Sequence, residues 1–355
     1  MQERLTEIDV FRGLAVIIMI IVDAPPDFNV IYPILTHSHW QGVTIADLAF
    51  PFFVFSMGMS AAMSKNAFRL ERVLNRVVIL FAIGLMFNMF PVMLNHLMYG
   101  YDITNVRILG VLQRLALTYA LGLILCRMLK TNAKIIYIAF LILLATSAGF
   151  RIYNPISPFD ELNNLSRAVD VFVLGEAHIY QNTFEPEGIY GTINSSVTMM
   201  LGFVCGGILK NKSKMYRLQM FGLMMLITGL IWSQFDIISK PLWTAPFVLI
   251  TCGIGCIIMS LLTDLCKKRA VLNIFKPVRV VGMNPLLFYL MTNVALITLW
   301  TVQVEGVPMY IWLWLNTTCN LINPSFGAAV FAVIWCALWL PLAEYFYRKR
   351  IIVKL

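Results

Sequence analysis

Apolar runs of about 17 to 25 residues recur along the whole chain, separated by short polar connections. A run of that length crosses a hydrocarbon core of roughly 30 Å as an α-helix. The pattern predicts ten spans, with ends uncertain by about 2 to 4 residues, at roughly 9–25, 43–64, 72–94, 108–128, 133–150, 190–209, 216–234, 242–264, 280–302 and 327–347. We therefore expect an all-α, polytopic membrane helix bundle that forms one transmembrane domain over residues 1–355.

Composition supports the same fold class. Of the 355 residues, 59% are hydrophobic and 13% are charged, whereas soluble domains average roughly 45–50% and 25%. The first span follows a charged start and continues without a small-residue cleavage site, so we expect it to be retained and not removed as a signal peptide. The seven cysteines show no CxxC spacing, and they predict neither a metal site nor a disulfide framework.

The basic residues are distributed in alternate loops, which indicates membrane orientation and argues against a nucleic-acid-binding face. Groups of Lys and Arg follow the second, fourth, sixth and eighth spans and close the chain, at Lys65–Arg76, Arg127–Lys134, Lys210–Arg217, Lys267–Arg279 and Arg348–Lys354. By the positive-inside rule these loops and both termini are cytoplasmic. Residues 24–43 contain no Lys or Arg, and they and the long excursion at 151–189 are expected on the outer side.

Titratable side chains cluster beside the first two spans, where His37, His39 and Trp40 are flanked by Asp23 and Asp47. A histidine can accept a proton from an attacking group if another side chain holds its ring in place. The same residues could instead be interfacial loop residues, with the tryptophan as an aromatic-belt anchor.

Two further groups could bind anions. Arg107 and Arg114 are seven residues apart, which would place them on one helix face as an anion site or within a structural ion pair. Asn284 lies in a Gly-Met-Asn-Pro sequence after the last inner basic loop, where a broken helix start could hold a phosphate. The second pattern is also ordinary turn chemistry.

A polar outer segment leads into the sixth span and contains Asp170, His178, Glu187 and Asn194. Its carboxylates, amide and hydroxyl groups suit a polyhydroxy ligand. A capped helix start would use the same residue types.

Together these segments resemble one family over nearly the whole chain. The motifs are IDVFRGLAV, HSHWQGVTIADLAFPFFVF, RILGVLQRLALTY, GEAHIYQNTFEPEGIYGTINS, KPLW, GMNPLLFY and a C-terminal YRKR. Their residues and order are similar to the transmembrane heparan-α-glucosaminide N-acetyltransferases and their bacterial relatives.

The resemblance implies acetyl transfer from cytoplasmic acetyl-CoA to a glucosamine-type amino sugar across a bacterial inner membrane, without a metal. His37 matches the catalytic histidine of the family, and Asp23, where the family usually has asparagine, is expected to orient it. The predicted acceptor-binding residues are Trp40, Asp47, Asp170, His178, Glu187 and Asn194. The predicted CoA-binding residues are Arg72, Arg76, Arg107, Arg114, Lys268, Arg279 and Asn284.

Two other classes of function stay open. A transporter of a sugar or another metabolite would also need polar groups on both sides of a cavity, although the two halves of the chain show no internal repeat. An O-acyltransferase of a cell-envelope glycan would use the same donor. Acetyl-CoA, an amino sugar or glycan and the lipid bilayer are the expected partners, nucleic acid is not expected, and the sequence leaves open whether the chain forms a homodimer.

Overall fold

The computed structural model describes residues 5–103, 105–210 and 215–353. Lys212, Lys214 and Lys354, which we predicted to be cytoplasmic charges, lie outside the described residues. The helices are α1 (Thr6–Asp23), α2 (Ile45–Met63), α3 (Leu70–Tyr99), α4 (Val111–Leu129), α5 (Asn132–Tyr153), α6 (Leu165–Leu174), α7 (Ile189–Leu209), α8 (Met215–Trp232), α9 (Ala245–Leu265), α10 (Arg269–Ile274), α11 (Lys276–Met283), α12 (Pro285–Thr301), α13 (Met309–Thr317), α14 (Pro324–Leu338) and α15 (Leu340–Arg348). Two short strands, β1 (Gln303–Val304) and β2 (Val307–Pro308), form an antiparallel pair.

The predicted fold class, an all-α polytopic membrane bundle, is confirmed. In the described part of the chain, eight segments are long and apolar enough to span a membrane: α2, α3, α4, α5, α7, α8, α9, and α14 together with α15. The bent pair α11 and α12 makes nine if it counts as one span. The first predicted span forms α1, which is not among these segments because it carries four charged residues, Glu7, Asp9, Arg12 and Asp23.

The centre of the bundle is built on close contact between α2 and α7. A Cβ atom on Gly202 would lie 2.1 Å from the carbonyl oxygen of Phe55, and one on Gly58 would lie 2.1 Å from that of Met199. Small residues let membrane helices approach at backbone distance, where van der Waals contact stabilises the pair. This contact fixes α2, the helix whose first turn lies at the candidate site.

Gly202→Ala should therefore destabilise the protein, because the added methyl group meets backbone that cannot rotate away. We expect a loss of about 1 to 3 kcal/mol, measured as a lower melting temperature of the purified protein in detergent. Gly255→Ala is the matched control, since its Cβ would make ordinary contacts of 3.4 to 3.6 Å with Phe52 and Phe55. Equal melting temperatures for the two variants would contradict this account of the packing.

The break between α11 and α12 bends the chain by 88°. Pro285 is the first residue of α12, where its missing N–H is tolerated, and Asn284 lies at the junction. The side chain of Asn284 donates to the carbonyl of Ile351 at 2.9 Å and accepts from the N–H of Val353 at 2.8 Å. The helix break expected at Pro285 is thus present, and Asn284 at this break binds the C-terminal segment. Pro51 does not break its helix, because α2 continues through it.

The segment at 151–189 packs as a cap on the end of the bundle where α2 begins. Trp40 donates its indole N–H to the carbonyl of Phe159 at 2.8 Å, and its ring packs edge-on against Phe184. Asp170 on α6 accepts from the N–H of Ile189 at 2.7 Å. The segment is therefore attached both to the loop before α2 and to the start of α7.

Candidate functional site

A cavity of about 660 Å³ opens at the end of the bundle where α2 begins, and we call it the His37 cavity. Side chains from α1, α2, α4 and α12 form its walls together with four connecting loops. The polar and aromatic residues that line it are Asp23, Phe28, His37, Ser38, His39, Phe50, Arg107, Arg114, Tyr180, Glu187, Lys240, Trp243 and Tyr289. The structure therefore brings together residues from distant parts of the chain around one histidine.

The imidazole of His37 is held by Asp47. Its Nδ1 lies 2.9 Å from Oδ1 of Asp47, whose side chain has no exposed surface. Because the carboxylate is the acceptor, Nδ1 carries the hydrogen and Nε2 of the neutral ring is the free base. The His37 side chain is 40% exposed, so this arrangement offers an accessible proton acceptor.

The start of α2 explains why Asp47 is fixed there. Thr44 is the N-cap residue and Asp47 is the third helical residue, which is the spacing of a capping box. Oδ2 of Asp47 accepts from the N–H of Thr44 at 3.0 Å, and from the N–H and hydroxyl of Ser38 at 3.1 and 2.8 Å. One carboxylate thus caps the helix, closes the preceding loop and orients the histidine.

Lys240 reaches the same histidine from the loop before α9. Its Nζ lies 3.0 Å from Nδ1 and 3.3 Å from Nε2 of His37, and 3.6 Å from Oδ1 of Asp47. Burial lowers the pKa of Lys240, and the charges of Asp47, Glu187 and Asp23 partly offset that effect. Sequence reasoning missed this residue, although it belongs to the KPLW motif and is the one Lys or Arg between residues 218 and 266.

Asp23 does not take the orienting role that the sequence predicted. It is the last residue of α1 and lies on the wall of the His37 cavity. The hydrogen bond to the His37 ring is made by Asp47 instead, because Asp47 follows the same loop closely in sequence and is held there by the helix cap. Asp47, predicted to bind acceptor, therefore contacts the histidine directly.

Arg107 forms an ion-pair cluster with Glu185 and Glu187 at the cavity wall. Its guanidinium contacts both carboxylates and lies 4.9 Å from the ring centroid of Tyr180. Burial acts to lower the pKa of Arg107, but the two glutamates raise it above its usual value. Burial likewise acts to raise the pKa of Glu187, but Arg107 and then Arg114 hold it below its usual value.

Arg114 is buried on α4 with Cζ 4.4 Å from the ring centroid of Trp243. Its Nη1 donates to the carbonyl of Pro186 at 2.6 Å, while Nε and Nη2 have no hydrogen-bond partner in the described residues. The expectation that Arg107 and Arg114 share a helix face is wrong. Gly110 is the N-cap of α4, so Arg107 lies in the loop before the helix.

A second cavity of about 360 Å³, the Arg76 cavity, is lined by Arg12, Ser56, Ser60, Arg76 and Asn284 with the C-terminal residues Ile352 and Val353. The guanidinium of Arg76 lies 4.4 Å from the ring centroid of Tyr119, and its Nε has no hydrogen-bond partner among the residues described. This cavity offers cations and an amide to an anionic ligand.

A small apolar void of about 10 Å³, which we call the neck, lies between the two cavities and shares lining residues with both. Met19, Phe50, Val111 and Tyr289 line both the neck and the His37 cavity, whereas Phe53, Leu115 and Leu286 line both the neck and the Arg76 cavity. The bundle therefore contains two cavities, and a narrow region of apolar side chains lies between them.

The predicted CoA-binding residues do not lie together in the structure: two line each cavity and three line neither. Arg76 and Asn284 line the Arg76 cavity, whereas Arg107 and Arg114 line the His37 cavity. Arg72 and Lys268 are exposed, Arg279 is partly buried, and none of the three lines a cavity described above. A basic residue beside a span is thus not by itself a guide to the ligand site, because membrane orientation requires such residues as well.

Four of the predicted acceptor-binding residues do not line the His37 cavity. They make structural hydrogen bonds within the cap and the helix bundle instead. Trp40 and Asp170 make the contacts of the cap described above. His178 lies with Nδ1 2.9 Å from the carbonyl of Val106, and Asn194 donates to the carbonyl of Trp243 and accepts from Thr146. Burial raises the pKa of Asp170 to about 7, in keeping with a structural carboxyl group.

Comparison with known proteins places these features in a family. The family model described as "Heparan-alpha-glucosaminide N-acetyltransferase, catalytic" matches residues 4–227. The chain is 26% identical over 423 aligned residues to the heparan-alpha-glucosaminide N-acetyltransferase of Homo sapiens, with 99% of the chain and 60% of that protein covered. It is 28% identical over 313 residues to the Mus musculus protein of the same name, with 69% of the chain and 46% of that protein covered. The chain thus spans about half the length of these curated relatives.

Proposed function

Because the chain belongs to the family of heparan-alpha-glucosaminide N-acetyltransferase catalytic domains, we propose that it transfers an acetyl group from acetyl-CoA to the amine of a glucosamine-type sugar. The donor enters from the cytoplasm through the Arg76 cavity, and the acceptor enters the His37 cavity from the outer side. The host membrane in this proposal is a bacterial inner membrane. The observation that carries the proposal is a histidine–aspartate pair facing one of two cavities with a narrow neck between them.

The dimensions of the donor support this route. Extended pantetheine is on the order of 15 to 20 Å long, so it cannot cross a hydrocarbon core of roughly 30 Å by itself. A donor site recessed into the bundle shortens the distance that the thioester must bridge. Arg76, together with Arg12 in its ion pair with Asp9, provides charge for CoA phosphates, and the neck, formed by side chains such as Met19 and Leu286, suits the uncharged acetyl-thioester end of the donor.

The acceptor site follows from the charges and aromatic faces of the His37 cavity. Carboxylates of Asp23 and Glu187 attract an amino sugar, which arrives largely as an ammonium near neutral pH. Phe28 and Tyr180 line the cavity and are 53% and 43% exposed. They, and not Trp40, offer rings on which a sugar can stack.

The chemistry requires a neutral amine next to the thioester. Nε2 of His37 takes a proton from the ammonium, and the amine nitrogen attacks the thioester carbonyl carbon. The tetrahedral intermediate collapses with cleavage of the C–S bond, the thiolate takes the proton back from the imidazolium, and the second proton of the attacking nitrogen is released to solvent. In the covalent alternative, Nε2 attacks the thioester first and CoA leaves as the thiolate. The amine then attacks the acetyl-imidazole, which releases the imidazole of His37, and the protons lost by the amine nitrogen go to the thiolate and to solvent.

The proposal is tested with purified protein in sealed vesicles, with radiolabelled acetyl-CoA on one side and a panel of sugars on the other. We expect a labelled N-acetyl sugar that resists hydroxylamine, formed when the sugar is on the side of the His37 cavity. A hydroxylamine-sensitive product would identify an O-acyltransferase. Sugar uptake without acetylation would identify a transporter, and either outcome would overturn the proposal.

Arg76→Met should weaken donor binding, because a charge-assisted hydrogen bond contributes about 1.5 to 3 kcal/mol. We expect KM for acetyl-CoA to rise about 10- to 100-fold with a smaller change in kcat. Arg72→Met removes the same charge one helical turn earlier and outside the cavity, and it should leave KM within about twofold. Equal effects of the two substitutions would mean that these arginines only set membrane orientation.

A further inference from the structure

We propose that Lys240 is a positioning residue that keeps His37 unprotonated in the resting site, so that the imidazole can serve as the proton acceptor of the transfer. The inference rests on the proposed function for its biological meaning, but its structural content can be tested separately. It deepens the site that the His37 and Asp47 pair defines.

The position of the ammonium is the first observation. Nζ of Lys240 is almost equidistant from the two ring nitrogens of His37, at 3.0 and 3.3 Å. The lone-pair directions of those nitrogens diverge in the ring plane, so one ammonium group cannot align with both. With Nδ1 directed at Asp47, the ammonium acts on the ring as a donor near Nε2 and as a cation that repels a developing imidazolium, and both effects disfavour protonation of the ring.

The rigidity of the loop is the second observation. Leu242 and Trp243 have no exposed surface, and the N–H of Trp243 donates to the carbonyl of Lys240 at 3.1 Å. The N–H of Gly42 donates to the carbonyl of Ile238 at 2.7 Å, which links this loop to the loop of His37. The Lys240 side chain is only 20% exposed. The fold thus holds the ammonium against the ring.

The other charged and titratable groups of the cavity do not supply the same effect. Asp47 contacts the ring and favours its protonated form, and Asp23 and Glu187 act in the same direction from the walls. Arg107 is paired with the two glutamates, and Arg114 is packed against Trp243 and bonded to Pro186. The remaining titratable groups on the walls are His39, Tyr180 and Tyr289.

The carboxylate of Asp47 at the ring favours the imidazolium form, which cannot accept a proton. Lys240 is the cation that contacts the ring in the described structure and offsets this field. After His37 has taken the proton of the acceptor ammonium, the same repulsion favours its release to the leaving thiolate. The lysine thereby assists both proton transfers without contacting the reacting carbonyl.

The test measures His37 itself and does not require acetyl transfer. Diethyl pyrocarbonate acylates unprotonated imidazole, and mass spectrometry of the His37 peptide gives the labelled fraction as a function of pH. For Lys240→Met we expect the midpoint of labelling to move upward by about one pH unit or more relative to the natural protein. Lys240→Arg retains the charge and should leave the midpoint within about 0.3 unit.

Lys267→Met is the matched control, because it removes one positive charge from an exposed residue that is paired with Asp264 at 2.7 Å. Its labelling curve should coincide with that of the natural protein. An unmoved midpoint in Lys240→Met, or an equal shift in Lys267→Met, would overturn the proposal. Melting curves identify a misfolded variant, and in that case Lys240→Gln, which also removes the charge, takes the place of Lys240→Met in the same comparison.

A second measurement connects this inference to catalysis. In Lys240→Met, the acidic limb of the profile of kcat/KM against pH should move upward by the same amount, whereas a purely structural role would lower the rate equally at every pH. If the natural protein acetylates no sugar, the proposed function fails while the labelling experiment still decides the role of Lys240.

Discussion

Replacing His37 with alanine is expected to lower acetyl transfer by about 10²- to 10⁴-fold, the usual contribution of a positioned general base. Binding of acetyl-CoA should be retained, because the Arg76 cavity lies beyond the neck and contains no part of His37. The measurement is single-turnover formation of the acetylated sugar, with donor affinity determined in parallel by equilibrium binding.

His39→Ala is the control for this substitution. His39 lines the same cavity but has no hydrogen bond to Asp47 or Lys240 in the described structure, so activity should stay within a few-fold of the natural protein. Near-normal turnover in His37→Ala would refute the assignment, and a loss confined to His39→Ala would move the role by two residues. Acetylated protein in the absence of acceptor would identify the covalent route.

Asp47→Asn should lower activity on the order of 10²- to 10⁴-fold, because it removes the charge that orients His37 and stabilises its imidazolium. It should also destabilise the fold by about 1 to 3 kcal/mol. The amide cannot accept every hydrogen bond that Ser38, Thr44 and His37 now donate to the carboxylate. Steady-state kinetics and thermal unfolding of the same preparation measure the two effects.

Asp23→Asn provides the comparison, since it makes the same chemical change on another wall of the cavity. We expect this variant to keep part of its activity and its melting temperature, because Asp23 has no hydrogen bond to the ring. A larger loss in Asp23→Asn than in Asp47→Asn would restore the orienting role that the sequence suggested for Asp23.

The spans were predictable because membrane helices have to be long and apolar, and the sequence shows this requirement directly as long apolar runs. The helix break at Pro285 could also be predicted, because a Gly-Met-Asn-Pro sequence is typical of a turn followed by a helix start. The angle of the bend could not be predicted, because it depends on how α11 packs against α1 and how Asn284 binds residues 351 and 353.

The site was less predictable, because its key contacts join residues that are distant in sequence. Thr44 and Asp47 have the capping-box spacing, which is typical of a helix start, but that spacing does not indicate that the same carboxylate binds His37. Lys240 lies 203 residues from that histidine. Arg107 looked like a donor ligand because its glutamate partners, Glu185 and Glu187, are 78 and 80 residues away.

The attachment of the C-terminal segment to Asn284 matters for how the protein is handled in the laboratory. Ile352 and Val353 form part of the wall of the Arg76 cavity, so an affinity tag or fluorescent protein fused close behind Val353 would lie next to that wall. Such a fusion would crowd the mouth through which acetyl-CoA is proposed to enter. Weak donor binding by a C-terminally tagged preparation would then be an effect of the tag and not of the protein itself. The tag should therefore be removed by protease before kinetic measurements.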